Sequence, residues 1–208
     1  MNQPFLRLYC PLLLLQAIVA GICLADSQTP LEHSQRQDYG LQLANAALAR
    51  TYVFVVYDSA YRALDYPGGD VANNRGVCSD VVIRAYRALG IDLQKRVHED
   101  MSESFDDYPN RWGLKRPDAN IDHRRVPNLE RFFTRMGAAL PAGAKADYQP
   151  GDIVSWRLPN GRPHIGVVQS SRSSDGKRPL VVHNIGFGPE LEDKLFHYRI
   201  TGHFRYSD

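Results

Sequence analysis

The chain has 208 residues, 25 basic against 23 acidic side chains and a net charge of +2. That length fits one domain, and so small a charge excess, without a basic run of five or six residues, argues against a dedicated nucleic-acid binder. An aromatic content of 10% supplies a core and argues against disorder.

Met1–Arg7 carries one cation, Leu8–Leu24 carries no charge, and Asp26 is the first acid. The stretch closes on Cys23-Leu24-Ala25, which reads as a secretory signal peptide over residues 1–25, cut after Ala25. An uncleaved anchor is the alternative. Ala20-Gly21-Ile22-Cys23 resembles a lipobox, but Ile22 stands where a small residue should precede the cysteine. Cleavage removes Cys10 and Cys23 and leaves Cys78 alone, so the exported chain has no internal disulfide partner for it. The expected location is periplasmic or secreted, without stable membrane association after cleavage.

Residues 26–37 are polar and read as a loose N-terminal segment, with one domain over 38–208. Leu41, Ala44, Ala47 and Leu48 are spaced for a helix from Gln37 to about Phe54. Pro67-Gly68-Gly69 and Asn73-Asn74-Arg75-Gly76 mark a turn-rich loop. Val82, Ala85, Tyr86 and Leu89 then predict a helix stopped by Gly90, with Cys78 at its start. Residues 92–127 read as polar and irregular, and Leu129, Phe132, Phe133 and Met136 as another helical stripe. Beyond residue 146 the period changes to strand, over Asp152–Leu158, His164–Ser170, Leu180–Ile185 and about Phe196–Tyr206. Helices first and an antiparallel sheet second is an α+β plan.

A thiol attacks as thiolate, and a helix N-terminus and a neighbouring histidine both favour that form. Cys78 meets the first condition by position, and His164, opening a strand, can meet the second as general base. A depressed thiol pKa is the expectation. A third group should orient the imidazole, and His183 or Asn184 can do so. Alternation places those two on opposite faces of their strand. A buried, inert cysteine, a structural histidine and an Asn184 that merely turns the chain are the competing readings.

Gly76-Val77-Cys78-Ser79-Asp80 resembles the nucleophile segment of NlpC-type cell-wall cysteine peptidases, and Tyr66-Pro67-Gly68-Gly69 is similar to the loop that precedes it. Pro150-Gly151-Asp152, His164-Ile165-Gly166 and Val182-His183-Asn184 resemble their later motifs, the last with the third catalytic residue, usually His. Asp80 stands where those enzymes carry Gly, and Val77 where they carry Asp, which would bring charge or crowding to the oxyanion position. Gly76–Gln94, residues 97–101, 120–128 and Val182–Gly186 further resemble an exported bacterial family known as domain of unknown function 1287.

The resemblance implies a papain-like, NlpC-type fold and cysteine-dependent amide hydrolysis, with Cys78 as nucleophile, His164 as base and His183 orienting it. It implies peptidoglycan or a peptide as substrate, no cofactor, no metal and a monomer. Tyr66, Ser79, Asp80, Arg124 and Arg125 are candidate substrate-binding residues, the two arginines as carboxylate clamps. An acyltransferase or transpeptidase with the same triad and a non-catalytic wall-binding module are the alternatives. A metallohydrolase built on His98-Glu99-Asp100 and Asp122-His123 is a further one, without HExxH or paired-Cys spacing behind it.

Overall fold

In the computed structural model, which describes residues 30–207, helices come first and an antiparallel sheet second. Helix α1 (Pro30–Ala49) runs into a 3-10 turn, Arg50–Tyr52. Short strands β1 (Val56–Tyr57) and β2 (Arg75–Gly76) pair in parallel ahead of α2 (Cys78–Ala88). Helices α3 (Leu93–Glu103) and α4 (Val126–Arg135) follow. Strands β3 (Ile153–Arg157), β4 (Pro163–Arg172), β5 (Pro179–Asn184), β6 (Pro189–Glu192) and β7 (Arg199–Phe204) then form one sheet. Its order is β6-β5-β4-β3-β7 and every pairing is antiparallel.

Both faces of this sheet are covered, which is why its strands read as nearly continuous apolar runs. Ile153, Ile165, Val167, Val182 and Phe204 face the helices and meet Val82, Tyr86, Leu129 and Phe133 there. Val154, Trp156, Val168, Val181 and Leu195 make a smaller cluster on the other face. The rings of Tyr86, Phe132, Phe133, Phe204 and Tyr206 tie α2, α4 and the C-terminal strand together. Each such side chain contributes roughly 1.5–3 kcal/mol of burial.

Several expectations change. The segment read as loose is helical from Pro30, a residue tolerated in a first turn because its missing N–H has no partner there anyway. The same helix ends at Ala49 and not near Phe54. Residues 92–127 contain α3: the Asp92 carboxylate accepts the Gln94 and Lys95 N–H groups, and Leu93, Val97 and Met101 bury one narrow stripe. Strand β6 is a fifth sheet strand that the period-2 reading missed. The predicted signal peptide lies outside the described residues. Among those described, no helix is long and apolar enough to cross a membrane.

Candidate active site

Val77, the residue before α2, has no side-chain acceptor to cap the helix, so Asp80 does that work from inside. Its carboxylate takes the Val77 N–H at 2.6 Å while its own N–H donates to the Val77 carbonyl at 3.1 Å. Gly76 allows this: its φ is +156°, and a Cβ there would sit 2.9 Å from the Asp80 carboxylate. Arg124 then closes on Asp80 with two hydrogen bonds of 2.9 Å, both side chains being almost fully buried. The same guanidinium donates from Nη2 to the Asp58 carbonyl and from Nη1 to the Ala60 carbonyl, and Ser79 Oγ donates to the Arg124 carbonyl. Asp80, Ser79 and Arg124 are therefore the scaffold that fixes the start of α2. None is left free to hold substrate, and the Asp80 charge is matched instead of standing at an oxyanion position.

Cys78 is only 5% exposed and unpaired. Its sulfur is faced by the backbone N–H groups of Ile165, Ser79 and Cys78 itself, all of which favour thiolate. Burial outweighs them and pushes the thiol up to about 12, a correction to the depressed value expected from the helix position. The dipole argument holds for an exposed helix start, whereas here desolvation decides.

His164 sits on β4 directly before Ile165, buried against the Trp156 ring at 5.7 Å between centroids. Its Nε2 lies 2.9 Å from Nδ1 of His183 on β5, with the rings near perpendicular. Gly166 makes the room. It pairs with His183 across the strands, and a Cβ on it would meet the Val182 carbonyl at 2.7 Å and the Trp156 ring at 3.2 Å. Burial first, and His183 second, pull the His164 imidazole down to about 3. Burial likewise lowers His183, against a raising effect from Glu192, whose Oε2 lies 3.0 Å from His183 Nε2 but off the line of a hydrogen bond. Among the described residues, no hydrogen bond joins the Cys78 sulfur to the His164 ring. The resting pair is a neutral thiol and a neutral imidazole.

Asn184 points the other way, as strand alternation requires. Its Oδ1 accepts the Gly186 and Gly188 N–H groups and shapes the β5–β6 turn. Tyr66 packs on His98 at 4.9 Å, in a loop tied to α3 through Asp92 and Gln94, and is not among the residues that line the cleft at His164. Tyr57 stands there instead. Its ring lines a cleft of about 640 Å³ together with His164, and Cys78 acts on its phenol electrostatically. Arg125 pairs with Asp122 at 2.8 Å and stacks on Trp112 at 4.0 Å, on the wall of a second cleft beside Val77. The two clusters considered for a metal are turned to other partners: Asp100 holds Arg135 and Tyr108, and Asp122 holds Arg125.

Trp156, Glu192 and Tyr57 were not legible as site residues. Trp156 could have been found by pairing the two strand readings, since it stands directly opposite His164 in the register.

The architecture and site thus describe an α+β protein with one buried cysteine at a helix start and a histidine pair on the adjoining strands. Residues 44–206 match the family described as Domain of unknown function (DUF1287), and the chain belongs to it. It is 57% identical over 167 residues to "Uncharacterized protein YijF" of Escherichia coli (strain K12), which covers 80% of this chain and 81% of that protein. No solved structure matches the chain.

Proposed function

We propose that this protein is an exported cysteine amidase or peptidase of papain-like, NlpC-related architecture. Its substrate is a peptide amide bond of bacterial peptidoglycan, and it acts in the periplasm or outside the cell. The reading is carried by one observation: the His164–His183 pair ends directly before the Ile165 N–H that faces the Cys78 sulfur. Sequence likeness to NlpC-type enzymes and the signal-like N-terminus supply the substrate and the location.

The proton logic runs along the pair. His164 accepts a proton at Nδ1 only if Nε2 carries hydrogen, and that hydrogen is the one donated to His183 Nδ1. His183 then carries its own proton on Nε2, beside the Glu192 carboxylate. With the thiol held near 12 and the imidazole near 3, no standing thiolate–imidazolium pair exists. The thiol turns toward His164 and gives up its proton as sulfur attacks the carbonyl carbon. The Cys78 and Ser79 N–H groups at the start of α2 face the oxyanion. His164 returns the proton to the leaving amine, and water cleaves the thioester.

The neutral resting pair also favours a second reading, a wall-binding module without catalysis. Digestion of purified peptidoglycan in heavy-oxygen water separates the possibilities. Hydrolysis puts one labelled oxygen on each new carboxyl group, transfer to an amine puts none there, and a binding module yields no new ends.

A further inference from the structure

The cleft at His164 continues around the tip of the β3–β4 hairpin into a second cleft of about 600 Å³, the two sharing Leu158, Pro159, His197 and Tyr198. Arg162 lines the first part, and Arg157 and Arg199 line the second, whereas no Asp or Glu lines either. Several other arginines are held by acids. Arg84 and Arg87 share Asp70, Arg135 holds Asp100, Arg178 bridges Asp175 and Asp193, and Arg205 holds Asp152. Arg162 and Arg199 have no carboxylate within ion-pair distance among the described residues. Arg157 reaches Glu130 only at 3.6 Å and leaves its buried Nη1 without a partner.

The register makes the arrangement costly. Arg157 on β3 stands directly opposite Arg199 on β7, and opposite Pro163 on β4, next to Arg162. Like charges directly opposed across antiparallel strands destabilise the pair. Three guanidiniums around one hairpin end, with Glu130 reaching Arg157 alone and at 3.6 Å, are relieved by an anion. Guanidinium recognises carboxylate in bidentate fashion, and the Tyr57 and Tyr198 rings offer apolar walls for the chain between carboxylates. A net charge of only +2 argues against a polyanion such as nucleic acid as the occupant.

We propose that this groove is the specificity subsite for an acidic peptide: Arg162, Arg157 and Arg199 take substrate carboxylates and lay the neighbouring amide at Cys78 and His164. The inference rests on the hydrolase reading of the site for its catalytic sense, but its binding half is measured without turnover.

The test is calorimetric titration of the Cys78→Ala protein with the acidic peptide acetyl-Ala-Glu-Ala-Glu-amide and with its neutral counterpart acetyl-Ala-Gln-Ala-Gln-amide. The acidic peptide should bind about tenfold tighter or more at low salt, with the gap shrinking at about 0.3 M salt. In Arg162→Gln/Arg199→Gln the preference should fall to within about twofold, and Arg178→Gln, whose partners lie elsewhere, should leave it unchanged. Equal affinity for the two peptides, no binding of either, or a preference that survives the double substitution overturns the proposal. Tripolyphosphate displacing the acidic peptide at lower concentration than the peptide itself requires also overturns it, in favour of a phosphate site. A preference that depends on the arginines in a protein that never cleaves keeps the groove and sinks the hydrolase. Cleavage that persists without the preference does the reverse.

Discussion

His183 Nδ1 lies 2.9 Å from His164 Nε2, and that contact leaves Nδ1 as the nitrogen of His164 free to take a proton. Asn184, one residue on, spends its side-chain oxygen on the Gly186 and Gly188 N–H groups instead. His183→Ala should therefore lower the cleavage rate roughly tenfold to ten-thousandfold, because it frees the tautomer and tilt of His164. Asn184→Ala should leave the rate near wild type and cost about 1–2 kcal/mol of stability. Steady-state rates and urea midpoints of the two folded variants decide it, and the reverse ranking removes His183 from the mechanism.

Burial holds the Cys78 thiol up to about 12, so alkylation should be slow at neutral pH. The rate with iodoacetamide should climb steadily toward alkaline pH, without the plateau near neutrality that an acidic thiol gives. Mass-spectrometric timing of the adduct across pH reads this directly. Fast neutral alkylation of folded protein would restore the thiolate pair expected from the helix position alone.

Acid should unfold the protein through its buried histidines. Burial holds His164 at about 3 and His123 at about 4, against 6.5 in the unfolded chain. Between those values the unfolded chain binds more protons, so this stability is complete above pH 6.5 and is lost as pH falls toward 3–4. Each histidine should cost about 2–3 kcal/mol between pH 6.5 and 4.5. Urea titrations at the two pH values should show that loss and show it reduced in His164→Gln. A flat profile contradicts the burial of both rings.

Arg124 belongs to the frame and not to substrate. Arg124→Ala strands the buried Asp80 carboxylate beside Cys78 and should cost about 3–5 kcal/mol. Arg125→Ala also leaves a buried carboxylate, but Asp122 keeps the Asp118 N–H and its burial already favours the protonated form, so the loss should be smaller. Comparable losses of stability would mean that the Asp80–Arg124 pair does not hold the start of α2.

The parts of this architecture with a strong period were legible in the sequence. Helix α2 showed its stripe at Val82, Ala85, Tyr86 and Leu89, and His164 and His183 fell on strands that do pair. What escaped has physical causes. Helix α3 buries three apolar residues, Leu93, Val97 and Met101, together with the polar Gln94, a stripe one apolar residue wide, and its signal is the Asp92 cap. Strand β6, which carries Glu192, has four residues at the sheet edge, too few for a period. Asp80 and Arg124 read as separate substrate-binding candidates because their compensation is tertiary, across 44 residues. The thiol pKa departs from its expected direction because position on a helix is visible in sequence and desolvation is not.

The central claim is that the Cys78 sulfur attacks an amide with His164 taking its proton. The most direct test is the rate at which purified peptidoglycan peptides are cut by wild type, Cys78→Ala and His164→Ala, each confirmed folded by circular dichroism. The account predicts new amino and carboxyl ends with wild type and a loss of about ten-thousandfold or more in both variants. Cleavage by Cys78→Ala at a rate near wild type, or intact peptides with all three proteins, would contradict it.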